Sequence, residues 1–278
     1  MQGTVAGRDL LEPRSLGDAV KMLRDDGPLV PLAGCTDLYV ALNFGTLRPM
    51  RFLNLWNLDA LRGIDVRGTM LRIGALATYT DIIKSAAIRR RLPMLAAAAR
   101  EVGGVQIQNR GTIGGNVANA SPAGDTLPVL LAADAVVVLR STAGTRRVPM
   151  TAFYTGYRQS VARPDELIVG FEIPPVRGRQ WFRKVGTRAA QAIAKIVVAG
   201  VWDRQPRLAM GSVAPTPLRL TQTEHALGTG ASLAEAQEIL QREIAPIDDL
   251  RSTAEYRRTV AANLLGQFQA EVRGQSRR

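Results

Sequence analysis

With 278 residues, 46% of them hydrophobic, the chain is long enough for one large domain or two modest ones, each with its own core, so disorder is not its default state. Its single cysteine, Cys35, excludes an intrachain disulfide framework and leaves too few thiolates for an iron–sulfur cluster or a zinc ribbon. A net charge of +12 suits a phosphate backbone. However, only four of the 36 basic residues are Lys, and the Arg are spread along the chain with local groups at 89–91, 145–147 and 256–258, which weakens the nucleic-acid reading in favour of a generally basic surface or a face meeting an acidic partner subunit, so no nucleic-acid partner is expected.

In chain order, "SLGDAVKMLRDD" opens with Ser15 and Asp18 at capping-box spacing and places Leu16, Ala19, Val20 and Leu23 on one face, which predicts an amphipathic helix. "PLVPLAG" reads as a short buried strand ended by Gly34, and "TDLYVALNFG" as a helix beginning just after the turn. "MRFLNL" and "TMLRIGAL" read as strands, and "DIIKSAAIRRRLPMLAAAAREVG" as mostly helical. After a glycine-rich stretch come a short helix, "TLPVLLAADA", a hairpin in "VVVLRSTAGTRRVPM" and a strand in "DELIVGFEIP". "PPVRGRQ" marks a composition shift and a domain boundary. Beyond it lie strands "WFRKVG", "AIAKIVVAGVW" and "RLAMGSVAP", then two helices whose Ser232–Glu235 and Ser252–Glu255 pairs have capping-box spacing. The second of these carries Tyr256, Val260, Leu264 and Phe268 on one face, and the tail "GQSRR" reads as frayed.

The one histidine, His225, lies in the polar segment "TQTEHALGTG" and reads as a solvated helix-surface residue, so no zinc site or Ser-His-Asp relay is expected. No run approaches the roughly 18 apolar residues of a membrane span, and the opening "MQGTVAGRDLLEPRSL" lacks the plan of a secretory signal, so a cytoplasmic protein is expected.

Two segments invite a chemical reading: "PLAGCTDL" (31–38) and "GTIGGNVANASPAGD" (111–125). In the first, a strand runs through Gly34 straight into a helix, so the N–H groups of residues 35–38 are expected to face outward as an anion cradle. In the second, Gly111, Gly114 and Gly115 permit positive φ and keep Cβ atoms away from a ligand. Thr112, Asn116, Asn119 and Ser121 supply neutral hydrogen-bonding groups there, and Asp125 supplies a carboxylate for a ribose or ribityl hydroxyl. Neither segment is a Walker A or G-x-G-x-x-G sequence, and each alone is also what a tight glycine turn between packed elements looks like. Together they point to a pyrophosphate-containing cofactor.

"PLAGCTDL", "QNRGTIGGNVANASPAGDTLPVLLAADA", "GSVAPTP" and "PIDDLRSTAEYRR" together resemble the FAD-binding medium subunit of the molybdenum hydroxylases, the family of xanthine dehydrogenase and aerobic carbon monoxide dehydrogenase. The similarity runs in order from about residue 10 to 265. It implies an α+β fold: a two-lobed PCMH-type FAD-binding domain over residues 1–175, with lobes at about 1–57 and 58–175, then a C-terminal domain of antiparallel sheet plus helices over 176–278.

The resemblance further implies that FAD lies extended in a cleft. Its diphosphate would meet a first loop of Pro31, Leu32, Ala33, Gly34, Cys35, Thr36, Asp37 and Leu38 and a second of Thr112, Ile113, Gly114, Gly115 and Asn116. Asn119 would sit beside the cofactor, Asp125 would bind a cofactor hydroxyl, Ile168 would pack on the flavin ring and Lys195 would stand near it as a cation. The family's usual second glycine of the first loop is replaced by Cys35, whose Cβ is tolerable at negative φ and whose thiol reads as a small buried group. Val102 occupies the place where some relatives have a flavin-stacking aromatic, with Tyr154 and Tyr157 as alternatives.

The implied partners are a large molybdenum-cofactor subunit and a small 2Fe-2S subunit, arranged as a dimer of heterotrimers, with the molybdenum and iron–sulfur groups held only by them. The function expected is electron transfer through FAD to NAD, a quinone or oxygen. A self-sufficient FAD-dependent oxidoreductase and a basic nucleic-acid-binding or scaffold protein are the alternatives.

Overall fold

The computed structural model describes residues 9–46 and 51–274. The first eight residues of the opening segment, Met50 of an expected strand and the expected frayed tail from Gln275 onward lie outside the described residues.

The first lobe contains β1 (Leu10–Leu11), α1 (Leu16–Asp25), β2 (Val30–Leu32), α2 (Leu38–Asn43) and β3 (Phe52–Asn54). Its strands form a parallel sheet in the order β1-β3-β2. Ala19, Val20 and Leu23 of α1 are buried with Leu53, as the helical spacing requires. Ser15 caps Asp18 N–H at 3.1 Å, but the Asp18 carboxylate returns to Arg14 N–H rather than to Ser15, so the expected box is displaced by one residue.

The second lobe runs through β4 (Ile64–Arg67), β5 (Met70–Gly74), α3 (Tyr79–Lys84), α4 (Ala86–Arg91), α5 (Pro93–Glu101), α6 (Val105–Gln108), α7 (Ile113–Asn119) and α8 (Leu127–Ala132). It then continues through β6 (Val136–Ser141), β7 (Gly144–Pro149), β8 (Tyr154–Gly156), β9 (Gln159–Ser160) and β10 (Leu167–Ile173). Five strands make an antiparallel sheet ordered β4-β5-β10-β6-β7. Every residue of α8 is buried, which makes it the central helix of the molecule.

Beyond Pro175 come β11 (Arg179–Val185), β12 (Ile196–Trp202), β13 (Arg207–Gly211), β14 (Leu218–Arg219), α9 (Thr221–Gly228), α10 (Leu233–Glu243) and α11 (Ala254–Gly274). The four strands form an antiparallel sheet in sequence order. Alternation along β12 divides its side chains: Val197, Ala199 and Val201 join the core of the second lobe, while Ile196 and Val198 join the core beneath the C-terminal helices. Phe268 of α11 packs on Gly200, where a Cβ would lie 2.6 Å from its ring. The fold is thus α+β: among the described residues there are three main sheets and a two-stranded β8-β9 ribbon, with one core shared by the second lobe and the C-terminal sheet.

Two helix starts depart from expectation. Helix α9 leaves His225 exposed on a helix surface, as its polar segment predicts, and buries Thr223, Ala226 and Leu227 on the other face. Its first N–H groups are capped by the Glu243 carboxylate at 2.8 and 2.9 Å, a partner some 20 residues away that local spacing does not reveal. At α11 the cap is Thr253, accepting from Tyr256 N–H at 3.1 Å, while Ser252 pairs with Asp249. Six of the seven grouped arginines are engaged within the fold: Arg146 on Glu166, Arg147 on Glu172, Arg257 on Asp249, and Arg89, Arg91 and Arg258 on main-chain carbonyls. Among the described residues no helix is long and apolar enough to cross a membrane.

Candidate functional site

A cleft of about 1490 Å³ opens where the two lobes and the ends of β12 and β13 meet. It exceeds the about 300–1,000 Å³ of an ordinary small-molecule pocket, which suits an extended ligand. Every expected residue of the first loop, from Pro31 to Leu38, lines it.

The first loop is built by close approach. The carbonyl of Leu32 accepts Leu55 N–H at 2.9 Å, which ends β2 against the strand beside it. Two residues later a Cβ on Gly34 would lie 1.7 Å from the Arg110 carbonyl oxygen, so the two loops touch through bare backbone. Asp37 stands at the N-cap of α2 without making a side-chain cap. Among the described residues no acceptor meets the N–H groups of Cys35, Thr36, Asp37 or Leu38. Four main-chain donors are therefore left for a ligand.

Cys35 departs from its expected conformation. Its φ is +63°, the left-handed region that favours glycine, not the negative φ at which a Cβ is easily borne. Burial pushes its thiol pKa up, against the opposing charge of Arg110, and Sγ donates to the Ala33 carbonyl at 3.4 Å. The helix terminus does not activate it. Cys35→Gly is expected to raise stability by about 1 kcal/mol, measured by urea unfolding of the apoprotein, with flavin retention unchanged.

The second loop differs from its expected form in kind. Residues 113–119 form α7, with Thr112 as N-cap accepting Gly115 N–H at 3.1 Å. The N–H groups of Ile113 and Gly114 are consumed by the carbonyls of Ala77 and Ala75 at 3.1 and 2.9 Å, and that of Asn116 by Thr112. Its main chain is therefore largely satisfied, and the free donors are side chains. Asn116 uses Oδ1 to accept from Thr126 at 2.8 Å and Asn119 uses Oδ1 to accept from Arg158 at 2.6 Å, which leaves each amide NH₂ available. Thr112, Gly114, Gly115, Asn116 and Asn119 line the cleft, whereas Ile113 is fully buried in the core and does not. None of Gly111, Gly114 and Gly115 has positive φ. Gly114 is required because a Cβ would lie 2.6 Å from the Ala75 carbonyl oxygen, so α7 can lie directly against the residue that follows β5.

Asp125 lines the cleft with its side chain 11% exposed. Oδ2 accepts from Lys184 Nζ at 2.7 Å, and Oδ1 is buried without a partner. Burial raises its pKa to about 6, opposed by Lys184. Lys184, 4% exposed, also donates to the Glu101 carbonyl at 2.8 Å. This lysine was missed by sequence reasoning. The available signal was its place on β11 two residues from Phe182, on the buried face, where an ammonium group requires a partner.

Ile168 lines the cleft next to an irregularity in the β10–β6 pairing. Lys195 does not line it: its ammonium lies 4.8 Å over the Tyr256 ring. Val102 and Tyr157 line the cleft, whereas Tyr154 donates its hydroxyl to the Val117 carbonyl and does not. Four non-glycine residues with positive φ, Cys35, Arg158, Gln191 and Ser212, also line it, and such strain concentrates at functional sites.

Residues 5–176 match the family model described as the FAD binding domain in molybdopterin dehydrogenase. The chain belongs to that family. Residues 181–272 match the CO dehydrogenase flavoprotein C-terminal domain. Relatives of this FAD-binding subunit include the xanthine dehydrogenase FAD-binding subunit of Escherichia coli O157:H7, 33% identical over 87% of this chain and 88% of that one. The carbon monoxide dehydrogenase medium chain of Hydrogenophaga pseudoflava is 31% identical over 91% of this chain and 92% of its own. A solved structure of carbon monoxide dehydrogenase from Hydrogenophaga pseudoflava superposes with a TM-score of 0.88 at 29% identity, covering 93% of this chain and 94% of that one.

FAD is thus the cofactor of an oxidoreductase subunit, and the cleft fits it: open amides and neutral amide side chains for a diphosphate, and an unpartnered buried carboxylate oxygen for a hydroxyl. Among the described residues no group of three or more His, Cys, Asp or Glu is placed to hold a metal.

Proposed function

We propose that the protein is the electron-relay subunit of a molybdenum hydroxylase. It receives electrons from the 2Fe-2S clusters of a small partner subunit, supplied by a large subunit carrying the molybdenum cofactor, and passes them to NAD, a quinone or oxygen. The working assembly is a dimer of heterotrimers in the cytoplasm. The observation that carries the reading is the convergence of two polar loops, 31–38 and 112–116, on one cleft that offers hydrogen-bond donors and no histidine.

When bound, FAD supplies a carrier that accepts and releases electrons singly or in pairs. The chain does the rest. Main-chain N–H groups of residues 35–38 hold one side of the diphosphate, and the hydroxyl of Thr112 with the amides of Asn116 and Asn119 holds the other. Asp125, oriented by Lys184, takes a ribityl or ribose hydroxyl, and Ile168 gives the ring system an apolar contact. No side chain of the cleft has to act as nucleophile or general acid, because the reaction moves electrons and the protein's work is position and exclusion.

Two measurements test this reading. Purification of the native protein, followed by flavin and metal analysis, is expected to yield a complex containing FAD, molybdenum and iron. A lone flavoprotein that oxidises an organic substrate by itself would support the self-sufficient alternative instead. Gly115→Val places a branched side chain where a Cβ meets only the Thr112 hydroxyl at 2.9 Å. It is expected to abolish flavin retention with the far-ultraviolet circular dichroism unchanged, and stoichiometric FAD in that variant would remove the second loop from the site.

A further inference from the structure

The two cofactor loops belong to different lobes, and contacts outside the cleft hold them in register. Trp56 follows Leu55, whose N–H fixes the Leu32 carbonyl where the first loop begins. Gly34 of that loop rests on the main chain of Arg110, and the residue after Arg110 opens the second. The Arg110 guanidinium carbon lies 3.8 Å from the centroid of the Trp56 ring, and that of Arg62 lies 4.6 Å from it. Arg62 also donates to the Trp56 carbonyl at 2.5 Å. The contacts form a closed circuit: Leu32 to Leu55, Trp56 to the Arg110 side chain, the Arg110 carbonyl to Gly34, and Gly34 back to Leu32.

Two guanidinium groups repel each other. An indole face attracts both, because the negative charge above its ring is the complement of a weakly hydrated planar cation. None of Trp56, Arg62 and Arg110 lines the cleft. Their joint effect on it passes through the backbone, since a displaced Arg110 carries its carbonyl off Gly34 and separates the donors of the first loop from those of the second.

We infer that Trp56 is a positioning residue, a cross-lobe clamp that grips Arg110 and so sets the spacing of the two loops that hold the diphosphate. The inference rests on assigning those loops to the cofactor. It predicts a coupling between Trp56 and Arg110 that appears in flavin affinity, and a requirement for stacking rather than for charge at position 110.

The experiment uses the full chain reconstituted with FAD, with the dissociation constant read from flavin fluorescence. Trp56→Ala and Arg110→Ala are each expected to weaken binding about tenfold, and the double variant no more than either single one. Trp56→Phe is expected to recover most of the loss, and Arg110→Lys, which keeps the charge without the planar stack, to behave like Arg110→Ala. The clamp is overturned if affinities stay within about twofold of the parent, if the two single effects multiply in the double variant, or if Arg110→Lys binds as the parent does. Should Trp56→Ala not fold, the substitution at the exposed Arg110 decides alone. Gly115→Val separates the two levels: flavin lost there but kept in the Trp56 and Arg110 variants sinks the clamp alone, and flavin kept in Gly115→Val sinks the loop assignment beneath it.

Discussion

Gly34→Ala is expected to abolish flavin retention and to destabilise the apoprotein by about 3 kcal/mol or more. The added Cβ would stand 1.7 Å from the Arg110 carbonyl oxygen and 2.5 Å from its carbon. Both are main-chain atoms, and the Arg110 N–H is itself bonded to Ile107 at 3.1 Å, so no side chain can swing aside to make room. The loops must part, and the donors of residues 35–38 move away from Thr112, Asn116 and Asn119. Gly115→Ala is the control: its Cβ meets only the rotatable Thr112 hydroxyl, at 2.9 Å, so its effect on stability is expected to stay within about 1 kcal/mol. Flavin-to-protein ratio and thermal unfolding check both. A Gly34→Ala protein with full flavin and an unchanged midpoint would refute the contact between the loops.

The second large effect is expected at Lys184. Lys184→Met leaves Asp125 buried without its counter-charge, a change that costs about 3–5 kcal/mol when the carboxylate is ionised. The pH dependence has a definite sign. Burial raises the folded-state pKa of Asp125 from an ordinary 3.8 to about 6. Between those values the folded protein binds more protons than the unfolded one, so the contribution of Asp125 to stability falls as pH rises through that window, by up to about 3 kcal/mol, and is level above it. Removing Lys184 raises the folded pKa further. The destabilisation by Lys184→Met is therefore expected to be small near pH 4 and to reach its full size at neutral pH and above. Urea unfolding of parent and variant at acidic and mildly alkaline pH measures it, and equal losses at both would show that the pair is not an ion pair in the folded state.

Much of the fold was legible because its signals are local. The apolar run "AIAKIVVAGVW" reads as a buried strand, and β12 is one, with Ile196–Val201 buried on both faces. Ser232 and Glu235 stand at capping-box spacing and form a full box at the start of α10. The caps of α1 and α11 differ from expectation by one residue only, whereas two elements depend on partners remote in sequence. Helix α9 starts where Glu243 can cap it, and β4, for which no strand is expected, is held by β5, itself paired with β10 from some 100 residues later.

Within the site, the glycines of the second segment were read as conformational freedom, whereas Gly114 serves the approach of α7 to the Ala75 carbonyl. A seven-residue helix holding two glycines has too little intrinsic propensity to be read as one; burial of Ile113 and Val117 and the Thr112 cap stabilise it. Lysine was expected near the cofactor at 195, and the buried lysine beside the cleft is Lys184. The choice between them depends on which strand face looks toward α5 and α8, information carried by the pairing of β11 with β12.

The central claim is that the cofactor's diphosphate is gripped from two sides by loops of different lobes. A crystal structure of the flavin-loaded protein tests it most directly. Diphosphate oxygens are expected within hydrogen-bonding distance of the N–H groups of residues 35–38 on one side and of Thr112, Asn116 or Asn119 on the other. A diphosphate bound to only one loop, or lying outside the cleft, would contradict it.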